Sequence, residues 1–386
     1  MQDSGCIRHH LSGLLDLWAG QRDETGGFHC SIRGDGSRRE VWLKPVLIQA
    51  RLLYNFSEGI RLGLAGSAAQ AEHAWRYLRE QAVGPHGWYH SFYKGERVGG
   101  DVLDVYSNSF VALAMARYGQ VTGERTPIEE AHRLLAEIRR QCCPAPIAEA
   151  GVLGQHHRAG EAVDWRHGAL MPRYSGNALL HFTEAVVRLH DADPGPELVA
   201  LVQDLRTFFL ARILDPELYI VYDHFHGDWT RPHRGRCSEL GHALEWVDFF
   251  RCVPGCALPP AVERGILERA AGAVLPNGLF QSGFYQPECR SAGPVDFWVQ
   301  VEAVKGFNLG YALLGAPYDE LCRRCLTAYF RCFVDEDGAV FETCDPNEVV
   351  LDRDKGGYWK CDYHSVRMCV DLIERSDGIY QAAAVA

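Results

Sequence analysis

Two histidines of this chain stand in settings that suit proton transfer. His242 precedes Glu245 by three residues in the segment Gly-His-Ala-Leu-Glu-Trp, and His364 precedes Arg367 by the same spacing. Residues three apart share one face of an α-helix, so a charged partner is expected beside each imidazole. Histidine titrates near neutral pH and is the side chain used most often as a general acid or base. The segments therefore predict acid–base chemistry, with a neutral His242 because the positive end of its helix disfavours imidazolium.

A third histidine and one arginine extend this set. His181 lies three residues before Glu184 and four after Asn177, so these side chains can share one helix face. Arg51 stands in an otherwise apolar segment, where a buried guanidinium needs either a ligand oxygen or a structural carboxylate as its partner. Taken singly, each histidine is equally compatible with a structural, hydrogen-bonded role.

The elements that must position these residues are predicted to be helices. Apolar residues recur at helical spacing over residues 8–20, 41–64, 68–82, 102–122, 126–141, 175–190, 194–212, 239–253, 258–274, 295–313, 317–333 and 361–375. Twelve helices in six pairs, separated by loops with room for short strands, predict an all-α (α/α)6 barrel of six helical hairpins. An open solenoid has the same periodicity, but no polar end caps stand out. We expect one domain over residues 1–386, with a frayed tail at about 381–386.

Every second predicted helix carries one residue suited to bind or transform a ligand. These residues are Arg51, Tyr106, His181, His242, Trp298 and His364. Several stand in the first turns of their helices, so in a barrel they would meet at one end. An aromatic, histidine-rich pocket with one arginine suits a small polar ligand such as a sugar.

Composition excludes several other classes of protein. The 386-residue chain has a formal net charge of −11, which argues against nucleic acid or an anionic membrane as partner. It has neither a long apolar segment nor a secretory signal pattern, so we expect a cytoplasmic protein. Phosphate-loop, dinucleotide and zinc-protease motifs are absent from the sequence, which predicts no cofactor. Cys322 and Cys325 have zinc-like spacing, but they lie inside a predicted helix without a close second pair, so no metal is expected.

Seven short segments are specific in combination, although no single one is. They are Gly26-Gly27-Phe28, Gln49-Ala50-Arg51 with Phe56-Ser57, Asp104-Val105-Tyr106, and residues 177–185, 241–246, 297–303 and 359–367. In this combination the chain resembles the N-acylglucosamine 2-epimerase superfamily, which includes cellobiose 2-epimerases and mannose isomerases. The resemblance covers nearly the whole chain and implies an (α/α)6 barrel, in agreement with the hairpin count.

The resemblance also implies roles for the candidate residues. His242 and His364 would be the paired acid and base, Glu245 would orient His242, and Arg51 would hold the substrate's oxygens. His181 would assist ring opening or bind the sugar. Substrate binding is expected of His181, Asn177, Tyr106, Trp298, Trp359, Glu302 and Arg234, of which Glu302 could equally belong to a structural salt bridge. The stretch after Trp359 is similar to cellobiose 2-epimerases, whereas Arg234 is similar to the mannose isomerase branch.

The resulting hypothesis is a sugar 2-epimerase that acts on C2 of a reducing sugar, of glucose/mannose or N-acylglucosamine type, through a cis-enediol. Return of the proton to C1 would instead give an aldose–ketose isomerase of the mannose-to-fructose type with the same residues. A glycoside hydrolase is a further alternative, because (α/α)6 barrels host this class and the chain offers paired carboxylates. The candidate catalytic carboxylates of such a hydrolase are Asp104, Asp223, Glu245 and Glu302. A helical-repeat scaffold without activity is the non-enzymatic alternative. The expected partner is the sugar alone, bound by a monomer or homodimer.

Overall fold

The structure is a computed structural model that describes residues 4–98, 102–143, 146–151, 156–158, 161–162, 174–225, 229–231, 235–286 and 288–376. Helices dominate these ranges. They are α1 Ser4–Ala19, α2 Val46–Arg61, α3 Ser67–Tyr77, α4 Val105–Thr122, α5 Arg125–Cys142, α6 Ile147–Ala150, α7 Gly176–Ala192, α8 Pro196–Phe208, α9 Leu240–Arg251, α10 Pro260–Ala271, α11 Phe297–Leu314, α12 Tyr318–Cys332 and α13 Tyr363–Ser376. One π-helical turn extends α3 over Leu78–Ala82 and another extends α8 over Phe209–Ile213.

Short antiparallel strands lie in the loops between the helices, as the sequence predicts. They form three-stranded sheets and two-stranded pairs: β1 Leu43–Lys44, β2 Phe92–Tyr93 and β3 Glu96–Arg97; β4 Leu103–Asp104, β5 His156–Arg158 and β6 Glu161–Ala162; β7 Tyr174–Ser175 with β10 His224–Phe225; β8 Leu214–Asp215 with β9 Ile220–Val221; β11 Gly235–Glu239, β12 Gly283–Gln286 and β13 Arg290–Ser291; β14 Val295–Asp296, β15 Thr343–Cys344 and β16 Val350–Asp352. The described strands are all two to five residues long, so they shape loops and form no separate layer.

The predicted helix starts at residues 41, 102 and 295 are wrong by two to five residues. In each case a strand occupies the residues in question: β1 precedes α2, β4 precedes α4 and β14 precedes α11. Pro45 has an extended backbone and separates β1 from α2, since proline lacks the N–H that a preceding turn would need. The first turns of these helices are therefore fixed next to paired strands.

The helices divide into two kinds by burial. In α4 every residue from Val105 to Ala116 is buried, as expected for a helix enclosed on all sides. In α5 the buried residues Ile128, Ala131, Leu135 and Ile138 follow a three–four spacing, which leaves the opposite face in water. The alternation of enclosed and one-sided helices is the one that the sequence pattern predicts.

Contacts between helices follow a regular order. α2 packs on α4, α4 on α7, α7 on α9, α9 on α11, α11 on α13, and α13 on α2. Each of these six inner helices also packs on outer helices, most extensively on α3, α5, α8, α10, α12 and α1 in the same order. The six residues that the sequence places on every second predicted helix therefore all lie on these inner helices. They are Arg51, Tyr106, His181, His242, Trp298 and His364. No helix in the described part of the chain is both long and apolar enough to cross a membrane.

Buried amides on the inner helices fix the turns that follow the outer helices. The side chain of Gln300 on α11 accepts the Phe280 N–H at 2.8 Å and donates to the carbonyls of Gly278 and Cys325 at 2.9 and 2.8 Å. Gly278 has a φ of +88°, and a Cβ there would meet the Arg324 carbonyl oxygen at 2.6 Å, so only glycine fits this turn. Gln49 holds the backbone of Phe28 in the same way.

Replacement of Gln300 by leucine should lower the free energy of unfolding by about 2–4 kcal/mol, because it leaves buried backbone groups without hydrogen-bond partners. Urea unfolding followed by circular dichroism measures this loss. Gln203→Leu, on the exposed face of α8, is the matched control and should change stability by less than about 0.5 kcal/mol. Equal stability of the two variants would show that the amide does not hold the turn.

Candidate active site

A cleft of about 450 Å³ opens where the inner helices begin. It is lined by Tyr106, Ser175, Asn177, Asp223, His224, Cys237, Ser238, Glu239, His242, Asp296, Trp298 and Trp359. Five of the predicted site residues belong to this lining: Tyr106, Asn177, His242, Trp298 and Trp359. Arg51, His181 and His364 are buried next to the lining residues and contact them directly. Arg234 lies outside the described residues.

His242 is held by an aspartate that follows β9. The His242 Nδ1 lies 2.6 Å from Asp223 Oδ1, and Asp223 Oδ2 accepts the Glu239 backbone N–H at 2.8 Å. Burial alone lowers the pKa of His242, but the charge and hydrogen bond of Asp223 outweigh it, so this pKa lies above its ordinary value. The lowering of this pKa that the helix start was expected to cause is therefore not observed, because a carboxylate in contact acts more strongly than a helix end.

The predicted partner of His242, Glu245, does not orient it. Both Glu245 carboxylate oxygens are buried without a hydrogen-bond partner, and the nearest cation is Arg367, at 3.5 Å. Burial and the neighbouring Glu302 carboxylate raise the pKa of Glu245. The three-residue spacing places Glu245 on the buried side of α9, whereas Asp223 reaches His242 from a loop.

His364 is held by a carboxylate of the neighbouring helix. Its Nδ1 lies 2.8 Å from Glu302 Oε1 on α11, and Glu302 Oε2 accepts a hydrogen bond from Lys305 at 2.7 Å. Burial lowers the pKa of His364 to about 3 in spite of this carboxylate. Lys305 and His364 offset the burial of Glu302 and keep the pKa of its carboxyl well below the usual range. An ionised carboxylate only accepts, so Nδ1 carries the proton of a neutral imidazole and Nε2 keeps its lone pair.

The Trp298 indole lies beside the imidazole rings of both His242 and His364. The Trp298 ring stacks on His242 with 4.8 Å between centroids and an angle of 30°. The same residue lies 5.6 Å from the His364 ring at an angle of 43°. The two imidazoles come from different helices, are 122 positions apart in the chain by their numbers, and adjoin a single side chain.

Arg51 is buried against the floor of the cleft. Its guanidinium donates to the Trp359 carbonyl at 2.6 Å and to the Tyr106 hydroxyl at 2.9 Å, and it lies 4.2 Å above the Phe110 ring. Burial opposes its charge, but Tyr106 and other oxygen and sulfur groups nearby more than compensate, and the pKa of Arg51 is raised. Its Nε has no hydrogen-bond partner among the described residues. Arg51 is thus a permanent charge with an unused donor.

His181 forms a third imidazole–carboxylate pair. Its Nδ1 lies 2.8 Å from Glu184 Oε2, which the spacing of the two residues predicts. Burial lowers the pKa of His181 to about 4, and its ring lies 5.1 Å from that of Tyr106. Asn177, one turn earlier, does line the cleft, and its Oδ1 has no hydrogen-bond partner in the described part of the chain.

A metal ion would have one candidate position among the described residues. Ligand atoms of Glu245, Glu302 and His364 lie within 4.8 Å of one another. Lys305 already binds Glu302, and Arg367 approaches Glu245 at 3.5 Å. Because these cations offset the carboxylate charge that would attract a metal, the cluster is better described as an ion-pair network behind His364.

The sequence missed the role of Asp223 and the position of Glu302. Asp223 was singled out only as a carboxylate for the hydrolase alternative, and its contact with His242 depends on a loop that no helical spacing describes. Glu302 was expected to bind substrate, but it is buried behind His364 and does not line the cleft. The alternative of a structural salt bridge is the one observed, because Lys305, three residues later, pairs with Glu302 Oε2 at 2.7 Å.

Comparison with known proteins identifies relatives along the whole chain. Cellobiose 2-epimerase of Dictyoglomus turgidum is 25% identical and covers 96% of this chain and 97% of its own. Cellobiose 2-epimerase of Bacteroides fragilis is 24% identical, with 93% and 95% covered.

Solved structures share the fold. Cellobiose 2-epimerase from Bacillus thermoamylovorans B4167 superposes with a TM-score of 0.86 at 21% identity, over 96% of this chain and 99% of that one. A D-mannose isomerase gives 0.83 at 19% identity, over 97% and 98%. A GH76 α-mannanase of Bacteroides thetaiotaomicron gives 0.65 at 10% identity, over 97% and 100%.

Residues 26–256, more than half of the chain, match the sequence pattern of one family. With the paired imidazoles, the buried guanidinium and relatives over nearly the full length, this match agrees with the resemblance seen in the sequence. The chain belongs to the N-acylglucosamine 2-epimerase (GlcNAc 2-epimerase) family, a family of carbohydrate isomerases.

Proposed function

We propose that this protein is a 2-epimerase of a reducing sugar and that His242 and His364 exchange the C2 proton. The observation that carries the proposal is the pair of imidazoles beside Trp298, one with a raised and one with a lowered pKa. Groups whose surroundings push their pKa values apart are the ones that divide acid and base roles.

In one direction of the reaction His364 acts as the base. Its neutral imidazole removes the proton from C2 of the open-chain aldose, and the C–H electrons form the C1–C2 double bond while the carbonyl electrons move onto O1. Glu302, hydrogen-bonded to Nδ1, stabilises the imidazolium that forms. The charge of Arg51, held at the cleft floor, stabilises the negative oxygen without a metal.

His242 then acts as the acid. Asp223 favours the protonated imidazole by raising its pKa, and Nε2 of this form can give a proton to the opposite face of C2 while the electrons return to the C1 carbonyl. This inverts C2 and leaves the proton count unchanged, because one histidine gains the proton that the other loses. In the reverse direction the two histidines exchange roles.

The aromatic and amide residues of the cleft are proposed to bind the sugar. Trp298 and Trp359 offer apolar faces to the pyranose ring, and Trp359 is 46% exposed. Asn177 offers an unused acceptor to a hydroxyl. His181, neutral beneath Tyr106, is suited to assist ring opening.

The fold that brings these residues together is proposed to be one closed (α/α)6 barrel in a single domain. The contact of α13 with both α11 and α2 supports closure of the inner helices. The cytoplasmic location, the absence of a nucleic-acid partner and the monomeric or dimeric state remain predictions from the sequence.

An aldose–ketose isomerase is the second candidate, favoured by the structural similarity to a D-mannose isomerase. The first half of the reaction would be the same, and the proton would then be returned to C1 in place of C2.

The geometry argues against a glycoside hydrolase. Asp223 and Glu302 are each bound to a histidine, Glu245 is fully buried, and Asp104 caps α4 through the Tyr106 N–H. None of these four carboxylates is placed to flank a glycosidic bond with a second one.

Substitution of either histidine by asparagine should reduce kcat by about 10²–10⁴-fold, the usual contribution of a general acid or base. Product formation from mannose, glucose, cellobiose and N-acetylglucosamine is followed by proton NMR. His9→Asn, at an exposed position of α1, is the control and should keep full activity. Near-normal turnover by His242→Asn or His364→Asn would remove that residue from the mechanism.

Turnover in deuterated water separates the two candidate reactions. An epimerase should place deuterium at C2 of an aldose product, whereas an isomerase should place it at C1 of a ketose. Product without any solvent deuterium would contradict proton exchange through an enediol and indicate an oxidation–reduction route.

Asp223→Asn should move the alkaline limb of the kcat/KM profile to lower pH. Asp223 contributes most to the raised pKa of His242, and without its charge burial lowers this pKa. Because the acid role needs imidazolium, activity is lost as pH rises through the His242 pKa, and a lower pKa brings that loss to lower pH. Asp204→Asn, exposed on α8, should leave the profile unchanged. An alkaline limb that stays in place in Asp223→Asn would contradict the assignment.

A further inference from the structure

A second cavity lies where the inner helices end, opposite to the cleft. Its volume is about 690 Å³, and it shares no lining residue with the cleft. The lining residues are Tyr54, Glu58, Ile60, Arg61, Arg117, Gln120, Val121, Arg188, Asp191, Cys252, Arg367, Val370, Asp371 and Glu374. Nearly all come from the second halves or ends of α2, α4, α7, α9 and α13, so the cavity is a separate site at the other end of these helices.

Two of its four arginines, Arg61 and Arg117, share the carboxylate of Glu58. Glu58 is buried, and its Oε2 binds Arg61 Nε at 2.7 Å while its Oε1 lies 2.9 Å from Arg117 Nε. Arg61 also contacts Glu374, and Arg117 lies 3.3 Å from Asp191. These arginines are structural, because each is neutralised by carboxylates of the same cavity.

Arg188, by contrast, has no carboxylate partner within the described part of the chain. It is half-buried on α7, and no hydrogen bond or ion pair joins it to another described residue; its Nε is buried without an acceptor. A guanidinium has five N–H donors, and leaving a charged donor desolvated and unpaired is costly. The negative helix ends at this side stabilise arginines in general, but they do not supply Arg188 with an acceptor atom.

The groups around Arg188 have mixed effects, and together they raise its pKa, because Cys252, Tyr54 and Asp248 favour the cation. Arg367 lines the same cavity, and its charge opposes that of Arg188. Arg367 is paired inward, with Glu184 at 2.9 Å and Asp248 at 3.2 Å. A small anion beside Arg188 would relieve this repulsion and satisfy the free donors.

Most described acidic residues of the cavity are paired with arginines, and one is not. Asp191, Glu58 and Glu374 are engaged by arginines, whereas Asp371 has no hydrogen-bond partner among the described residues. Burial, together with the nearby Asp248 carboxylate, raises the pKa of Asp371. Its protonated form can donate a hydrogen bond to an anionic oxygen.

We propose that this cavity, which we call the far cavity, binds a small oxyanion, a phosphate or a carboxylate group, through Arg188. The proposal rests on the unpaired guanidinium and the polar cavity in front of it. It does not depend on the sugar reaction, since no residue of the cleft takes part.

Isothermal titration calorimetry with inorganic phosphate, and separately with acetate, tests the proposal on the full chain in a buffer free of both. Phosphate or acetate should bind one site per chain, and the preferred ion identifies the group recognised. Arg188→Gln should weaken this binding about tenfold or more, because it removes a charged donor from the ion. Arg188→Lys, which keeps the charge, should retain part of the affinity.

Arg139→Gln, exposed on α5 and outside the far cavity, is the matched control and should bind as the unaltered protein does. Because Arg188 has no partner to lose, Arg188→Gln should keep its fold by circular dichroism, and its thermal midpoint should no longer rise with added ion. Absence of binding to the unaltered protein would overturn the proposal. Binding that Arg188→Gln leaves unchanged would overturn it as well.

Discussion

The candidate site depends on one repeated interaction, a buried carboxylate at the Nδ1 of an imidazole. Asp223 holds His242, Glu302 holds His364 and Glu184 holds His181, at 2.6 to 2.8 Å. This contact fixes the orientation of each ring and places the proton on Nδ1 when the imidazole is neutral, so the other nitrogen remains available for chemistry.

The three pairs differ in what surrounds the carboxylate. Lys305 binds Glu302 and Arg367 binds Glu184, so each of these carboxylates also interacts with a second cation. The pKa values of His364 and His181 accordingly follow burial and fall to about 3 and about 4. Asp223 contacts no cation other than His242 within the described ranges, and there the pKa of the histidine is raised. One kind of contact thus accompanies a raised pKa at His242 and a lowered pKa at His364, both beside Trp298.

Much of the framework could be predicted from the sequence, because its causes are local. Helical spacing identified each inner helix, and the pairing of His181 with Glu184 follows from three residues on one turn. The strands before α2, α4 and α11 were missed because two paired residues leave no periodic signal. Asp223 and Glu302 reach their histidines across 19 and 62 positions. Helical spacing pointed to Glu245, since it describes a single helix and not the loop or neighbour that faces it.

The central claim is that the two imidazoles beside Trp298 differ in pKa, with that of His242 raised and that of His364 lowered. An NMR titration of protein with ¹⁵N-labelled histidine, assigned with His242→Asn and His364→Asn, measures this directly. The account predicts that His364 stays neutral throughout the range in which the protein is folded, while His242 remains protonated above the ordinary histidine pKa of about 6.5. Two imidazoles that titrate together near that ordinary value would contradict it.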